Sequence, residues 1–244
     1  KESELKQRAE GISFPPRESL GMDVAETNNP IIETWEEFVN KETNIDDESW
    51  IIKDILRFKS LAVLGGHGKQ GKSTLSMHLL NLLRQGKDFI NKTTQAVPVL
   101  YLNFEMGEDD IKSLIVDVGA ASPSGERAAL GNYPEVPLKI RTVVEMLTDQ
   151  EKPGVCIIDS FRGAFALDND SENQAGTVGK LLRGLQNVAR KTGWTIIVIH
   201  HSRKAGSGEF LDLAGSGEWS SAPDVIFTWS CSDFDKPGTL KILG

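Results

Sequence analysis

The sequence predicts an α/β fold in which a mainly parallel sheet is flanked by helices and preceded by an N-terminal arm. From residue 50 onward, short apolar runs rich in Val and Ile alternate with segments of helical periodicity. Continuous apolar strands separated by helices indicate a parallel sheet that is buried on both faces. With 244 residues, 39% of them hydrophobic, the chain is long enough for one such domain and an appendage. We therefore expect an arm at residues 1–49 and an α/β domain at residues 50–244.

The arm carries the charge imbalance of the chain. Across the whole sequence, 27 Lys and Arg stand against 35 Asp and Glu, which gives a net charge of −8. Residues 1–50 hold 13 of the acidic and five of the basic residues, so the rest of the chain is neutral. Within the arm, residues 31–40 have the periodicity of a short amphipathic helix. The arm is expected to pack on a neighbour, to join another domain or to be a solvated tail.

Several classes of protein are excluded by composition. No apolar run approaches the roughly 18 residues of a membrane helix, so no membrane partner is expected. The N-terminus has no signal-peptide pattern, and the two cysteines, Cys156 and Cys231, lack the spacing of a zinc site. Two buried thiols in a reducing cytosol are the simpler interpretation, so we expect a cytoplasmic protein. A neutral domain also lacks a diffuse basic face, so any contact with nucleic acid must be local.

The elements of the domain are predicted from apolar periodicity, in chain order. Strands rich in β-branched and aromatic residues are expected at residues 60–64, 97–103, 155–159, 194–200 and 224–229. Helices with one apolar stripe are expected at residues 72–84, 109–118 and 177–191. Residues 120–137 are predicted to form a loop-rich insertion, and residues 239–243 resemble a further strand. In such folds ligands bind at the carboxyl ends of the strands.

A glycine-rich segment follows the first of these strands and opens the first helix. Residues 66–73, GHGKQGKS, match the pattern G-x-x-x-x-G-K-[ST] of a phosphate loop in the structural context that the motif requires. Lys72 is expected to reach the β- and γ-phosphates, and the Ser73 hydroxyl to bind Mg²⁺. The alternative, a glycine-rich turn with a chance match, would not need both flanking elements. The predicted nucleotide contacts are Gly66, His67, Gly68, Lys69, Gln70, Gly71, Lys72, Ser73 and Thr74.

Acidic residues lie at the ends of two further predicted strands. Asp159 ends the strand at residues 155–159 and fits the carboxylate that holds the Mg²⁺ shell in phosphate-loop enzymes. Glu105 follows the strand at residues 97–103, where it is expected to act as a general base toward the attacking water. The alternative for Glu105 is an acidic cap at the start of the next helix.

Two histidines lie at the end of the strand predicted at residues 194–200. We expect His200 to act as a sensor of the γ-phosphate. A zinc site is disfavoured because no Cys, Asp or third His lies at ligand spacing. The Gly- and Ser-rich residues 205–218 are predicted to form a mobile loop that contacts a polymeric substrate.

In order and spacing, these segments resemble the RecA-like P-loop ATPases. Within them they are most similar to the AAA-25 group, typified by the RepA hexameric replicative helicases. The resemblance covers about residues 50–229 and includes a closing Gly-Ser motif at residues 213–217. It implies ATP and Mg²⁺ as cofactors, Glu105 as the catalytic base, and Lys72 and Ser73 as phosphate and metal ligands. It further implies that Asp159 is the metal-shell carboxylate and His200 the sensor.

The resemblance also implies partners. Members of the family form rings, usually hexamers, with ATP between subunits and single-stranded DNA in the pore. The loops after Asp159 and His200 would then face the pore, with Arg162, Arg203 and Lys204 as the DNA-binding cations. One departure is the arginine finger, because residues 221–224 read SAPD. The candidates become Arg203, Lys204, a cation near Lys241 or a residue beyond Gly244.

The expected function is an ATP-hydrolysing motor on single-stranded DNA. Such an enzyme would be a helicase-type ring ATPase in the replication of a plasmid, phage or mobile element, with other replication proteins as further partners. The alternative is a RecA-like switch, in which ATP controls assembly or signalling without translocation. A phosphate-loop kinase of small molecules is disfavoured because the insertion holds a single arginine, Arg127, where such kinases carry an Arg-rich lid.

Overall fold

The chain divides into two compact units, Lys1–Thr43 and Asn44–Gly244. The computed structural model describes residues 34, 49–120, 128–132, 135–168, 170–171, 174–202, 217–231, 233 and 236–244. The first unit is thus described only at Thr34, and the amphipathic helix predicted at residues 31–40 lies outside the described residues.

A seven-stranded sheet forms the centre of the second unit. Its strands are β3 (Leu61–Gly66), β4 (Val99–Asn103), β5 (Ala128–Asn132), β6 (Val155–Asp159), β7 (Thr195–His201), β8 (Val225–Ser230) and β9 (Thr239–Leu243). They lie in the order β5-β4-β6-β7-β3-β8-β9. All neighbours are parallel except β9, which pairs antiparallel with β8 at one edge. A separate hairpin precedes the sheet, formed by β1 (Trp50–Ile52) and β2 (Leu56–Arg57).

Helices cover both faces of the sheet. They are α1 (Lys72–Gln85), α2 (Glu108–Asp117), α3 (Ile140–Thr148), α4 (Phe161–Ala164), α5 (Ala175–Thr192) and α6 (Glu218–Ser221). Both long helices, α1 and α5, end at a glycine in the left-handed conformation, Gly86 and Gly193, which is the usual helix stop. None of the helices in the described part of the chain is long and apolar enough to cross a membrane.

Two apolar cores lie on opposite faces of the sheet because successive strand residues point to opposite sides. In β3, Leu61 and Val63 pack in the core that contains α3 and α5. The alternate residues Ala62 and Leu64 pack in the core that contains α1, α2 and the hairpin. This double burial confirms the predicted fold class, a mainly parallel sheet flanked by helices.

The predicted strands and helices lie within two residues of their expected bounds, but the structure contains further elements that the sequence pattern does not predict. The segment predicted as a loop-rich insertion, residues 120–137, contains strand β5, which pairs with β4 along its whole length. Its sequence, AALGN, has neither β-branched residues nor alternation, so the pairing with β4 determines its conformation rather than local propensity. Helix α3, the hairpin formed by β1 and β2, and the short helices α4 and α6 are likewise not predicted by the sequence pattern.

The sheet order determines where the functional residues meet. β4, β6, β7 and β3 are consecutive neighbours and parallel, so their carboxyl ends lie side by side along one edge. The phosphate loop, Glu105, Asp159 and the histidine pair all follow or end these four strands. These residues therefore lie along the same edge of the sheet.

Candidate nucleotide-binding site

The phosphate loop connects β3 to α1 and is shaped by residues with unusual backbone geometry. Lys69 and Gly71 have φ angles of 59° and 79°, in the left-handed region. At Gly66, a Cβ atom would lie 2.3 Å from the carbonyl oxygen of Trp229, so only glycine fits beside β8. The indole nitrogen of Trp229 in turn donates a hydrogen bond to the carbonyl of Gln70, at 2.5 Å. The loop is thus held against β8 while the N-terminus of α1 stays directed at the phosphate site.

Lys72 folds back onto the loop. Its ammonium nitrogen lies 2.9 Å from the carbonyl of Gly66, 2.7 Å from that of His67 and 3.0 Å from Nδ1 of His201. The side chain is only 3% exposed, and this burial lowers the pKa of Lys72 to about 8, against the opposing effect of Asp159 and Glu105. The three ammonium protons therefore have three acceptors.

Asp159 is the buried carboxylate of the site. Its Oδ2 atom accepts hydrogen bonds from Ser73 Oγ, at 2.6 Å, and from the hydroxyl of Tyr101. Oδ1 is buried and has no hydrogen-bond partner among the described residues. Burial raises the pKa of Asp159, while the bonds from Ser73 and Tyr101 oppose this rise.

These residues fit a Mg²⁺ ion. An anionic oxygen that is buried without a partner is costly, and a cation would compensate it. Mg²⁺ prefers hard oxygen ligands and is held by one or two protein groups together with phosphates, which Ser73 and Asp159 supply. The described residues contain no group of three or more His, Cys, Asp or Glu that would hold a metal by themselves.

Glu105 lies on the turn after β4, which Asn103 holds in place. The Asn103 amide donates to the carbonyl of Met106 at 2.7 Å, and its Oδ1 accepts from the backbone N–H of Met106 at 2.9 Å. The Glu105 carboxylate accepts a hydrogen bond from Ser160 Oγ and lies 3.1 Å from Nε2 of His201. The bond with His201 is the main cause that lowers the pKa of Glu105.

The turn also separates Glu105 from the helix that follows. Helix α2 begins at Glu108, and Gly107 occupies its N-cap position. The acids of its first turn are Glu108, Asp109 and Asp110. A capping role therefore describes these later residues and not Glu105.

The two histidines of β7 point in opposite directions. His200 is 1% exposed, and its ring stacks on Trp219 with a centroid distance of 3.8 Å. His201 lies instead between the Lys72 ammonium and the Glu105 carboxylate. The sequence predicts that His200 contacts the γ-phosphate, but the structure places that residue against Trp219, on the face opposite the phosphate loop. The alternation of β7 explains the difference, since Ile199 and His201 share the face that carries α1.

The predicted DNA-binding cations are described only in part. Arg162 lies in α4, directly after β6, where its exposed side chain donates to the carbonyl of Leu167 at 3.1 Å. Arg203, Lys204 and most of the Gly-Ser motif lie outside the described residues. Of the candidates for the arginine finger, only Lys241 is described, and it lies exposed on β9.

The sequence pattern does not single out four residues of the site: Tyr101, Asn103, Ser160 and His201. Tyr101, Asn103 and His201 lie among the last three residues of strands that end at the site, and Ser160 directly follows such a strand. Alternation along the strands is a signal that could have found Tyr101 and His201, because both share a face with α1. No comparable signal marks Ser160 or Asn103.

The chain is similar to proteins of known family and structure. A family model described as an AAA domain, AAA_25, matches residues 30–207. A solved structure described as an ATPase domain superposes with a TM-score of 0.53 at 12% identity, over 75% of this chain and 80% of that one. A DnaB-like replicative helicase, solved to study its interactions with primase, superposes with a TM-score of 0.54 at 14% identity. That match covers 76% of this chain but only 54% of the helicase. No curated protein matches the sequence. At these identities, the solved structures show a shared fold.

Proposed function

Because the chain belongs to the AAA_25 family of AAA domains, we propose that it is a RecA-like ATPase that works as a motor on single-stranded DNA. The observation that carries the proposal is the hydrogen-bonded network of Lys72, His201 and Glu105 beside the Ser73–Asp159 pair. It would supply a phosphate-binding cation, a metal-binding pair and a general base at one edge of the sheet. The reaction would be ATP + H₂O to ADP and phosphate.

In the proposed mechanism, Lys72 exchanges its loop carbonyls for the β- and γ-phosphate oxygens of ATP. Ser73 and Asp159 would hold Mg²⁺, which when bound would neutralise phosphate charge and withdraw electron density from the γ-phosphorus. Glu105 accepts the proton of the attacking water, and Ser160 keeps its carboxylate oriented. The remaining residues of the phosphate loop, from Gly66 to Thr74, surround the phosphates.

His201 takes the sensor role that the sequence predicted for His200. An ammonium group can only donate, so Nδ1 of His201 must accept from Lys72 and the ring proton lies on Nε2. Nε2 then donates to Glu105. When the γ-phosphate arrives, its oxygens compete for both the Lys72 ammonium and the His201 N–H. His201 would in this way link the occupancy of the phosphate site to the base.

The proposal extends to the assembly of the protein and to its substrate. We propose a homo-oligomeric ring, expected to be hexameric, with residues 1–49 as an arm and residues 50–244 as the ATPase domain. Single-stranded DNA would contact Arg162, Arg203 and Lys204 in the pore. We further propose a role in the replication of a plasmid, phage or mobile element, with a cytoplasmic location and other replication proteins as partners. The similarity to a DnaB-like replicative helicase supports the replication role.

The test is an ATPase assay with and without single-stranded DNA, combined with particle sizing. We expect hydrolysis that DNA stimulates and a ring that forms with ATP. Lys72→Ala should abolish turnover, whereas Lys112→Ala, which removes an exposed lysine on α2, should not. Hydrolysis without any response to DNA would favour the switch, and full activity of a folded Lys72→Ala protein would refute the ATPase site.

A further inference from the structure

Tyr101 is a buried tyrosine whose hydroxyl reaches the candidate metal site. It lies in β4 opposite Ile157 of β6, two residues before the pair formed by Asn103 and Asp159. Residues of adjacent strands that are offset by two positions share one face of the sheet and are close neighbours. The Tyr101 side chain, 2% exposed, therefore extends along β6 and donates its hydroxyl proton to Asp159 Oδ2.

The two oxygens of Asp159 have unequal surroundings. Oδ2 accepts from both Tyr101 and Ser73, whereas Oδ1 is buried without a partner among the described residues. Two donors on one oxygen fix the rotation of the carboxylate. The other oxygen is left with its full acceptor capacity.

The same arrangement orients Ser73. A hydroxyl has one proton to donate and two lone pairs. The Ser73 proton is directed to Asp159 at 2.6 Å, so its lone pairs remain available to a cation. Any rotation of the Asp159 carboxylate would turn this hydroxyl away from that orientation.

We propose that Tyr101 is a positioning residue for the Mg²⁺ site: its hydroxyl holds Asp159 so that Oδ1 and the Ser73 lone pairs are presented together to the ion. Tyr101 does not touch the metal or the nucleotide itself. The inference rests on the proposed nucleotide-binding function and adds to it a residue that determines metal affinity.

The test compares Tyr101→Phe with a control that also removes one buried hydroxyl. Thr195→Val is suitable because Thr195 lies on β7, is fully buried, and donates to the carbonyl of Arg57 at 2.7 Å, which is a purely structural bond. For each protein, binding of a fluorescent ATP analogue is titrated with Mg²⁺, and binding is also measured in EDTA. Thermal unfolding of the free proteins reports their stability.

We expect Tyr101→Phe to raise the Mg²⁺ concentration at half-saturation by about 10–100-fold, as is typical when an outer partner of a metal ligand is removed. Binding in EDTA should stay within about two-fold of wild type, because Lys72 and the loop backbone act without Tyr101. Thr195→Val should change only the unfolding temperature. In an Asp159→Asn background, Tyr101→Phe should have no further effect on the Mg²⁺ titration.

A different result would overturn the inference. An unchanged Mg²⁺ titration in Tyr101→Phe would mean that the hydroxyl only stabilises the fold, while the proposed ATPase function would stand. If wild type itself bound no nucleotide in a Mg²⁺-dependent way, both would fall.

A second measurement needs no variant at Tyr101. The sequence holds two tyrosines, so the fluorine resonance of Tyr101 in fluorotyrosine-labelled protein is assigned by comparison with Tyr133→Phe. That resonance should shift when Mg²⁺ is added to the nucleotide complex, and an unmoved resonance would contradict the proposal.

Discussion

At the scale of single residues, the site is a hydrogen-bonded network in which almost every group is fixed as a donor or an acceptor. Lys72 can only donate, and the carboxylates of Glu105 and Asp159 can only accept while ionised. The neutral groups between them, Ser73 and His201, therefore have their protons assigned by their neighbours. The most informative probes of the site are substitutions that keep the shape of a side chain but change whether it donates or accepts a hydrogen bond.

Glu105→Gln is the first such substitution. The amide keeps the size of the side chain but cannot accept a proton from water, so hydrolysis should fall by about 10²–10⁴-fold. ATP binding should remain, because Lys72 and the metal pair are intact. Nucleotide binding and single-turnover hydrolysis, measured on the same preparation, separate the two effects. A loss of binding would show that Glu105 serves the structure of the turn.

The histidine pair provides an internal comparison. His201→Ala removes the link between Lys72 and Glu105 and should lower kcat by about 10–100-fold, the value of a hydrogen bond to a charged group. His200→Ala removes the ring stacked on Trp219 and should instead lower the free energy of unfolding by about 2 kcal/mol or more. Chemical denaturation and turnover are measured on both variants. If His200→Ala lowered kcat and His201→Ala lowered only the free energy of unfolding, the sensor role would belong to His200.

The thiol of Cys156 is expected to be inert in the folded protein. It is fully buried in β6, and this burial raises its pKa far above the ordinary value. The unfolded chain would release the thiol proton above about pH 9 while the folded chain retains it, so this residue reduces stability as the pH rises through that range. In a Cys231→Ser background, a thiol-reactive reagent should label Cys156 only after denaturant is added. Rapid labelling of native protein would contradict this burial.

At the scale of elements, burial determines how far the sequence predicts the structure. β6 and β7 are continuous apolar runs that are buried on both faces, and the sequence predicts them within one residue of their bounds. It does not predict β5, because a strand of AALGN at the sheet edge is specified by its neighbour β4 and not by its own residues. The phosphate loop is predictable because its motif, strand and helix agree. Hydrogen bonds such as that of Ser160 with Glu105 join residues distant in the chain, so no local pattern reveals them.

The junction of β3 with the phosphate loop predicts a contrast between two glycines. Gly66→Ala places a Cβ atom 2.3 Å from the Trp229 carbonyl oxygen, so β3 and β8 must separate, at a cost of about 1–3 kcal/mol. At Gly68 an added Cβ meets nothing within 4 Å, so Gly68→Ala should leave the unfolding free energy of the nucleotide-free protein nearly unchanged. Urea unfolding of the two variants checks this. Equal stabilities would show that the close approach at Gly66 is not maintained in solution.

At the scale of the whole molecule, charge is separated along the chain. The acidic excess lies in residues 1–50, and the remainder is neutral. A neutral domain binds DNA only where a few cations are brought together, and a ring does this by bringing identical loops to one axis. The proposed contact is therefore small in each subunit and depends on assembly.

Replacing Arg203 and Lys204 together by Ala should weaken binding to single-stranded DNA and flatten its salt dependence. Each phosphate neutralised contributes about −0.7 to the slope of log K against log salt on a single strand. The control, Lys180→Ala with Lys191→Ala on α5, removes the same charge from an exposed helix face and should leave the slope unchanged. Titrations at several salt concentrations distinguish the pairs. Equal slopes for both would remove this loop from the DNA contact.

The bond between Trp229 and the phosphate loop has a spectroscopic consequence. Trp194 and Trp219 are buried in the core, and the Trp50 ring lies under the guanidinium of Arg57. Trp229 is half-buried, and its indole N–H donates to the carbonyl of Gln70. Its ring packs closely on Gly238, since a Cβ atom added there would lie 2.1 Å from a ring carbon of Trp229. Its emission therefore depends on the conformation of the very loop that would close around a triphosphate. The chain carries its own optical reporter, through which the arrival and departure of nucleotide can be followed in real time without a label.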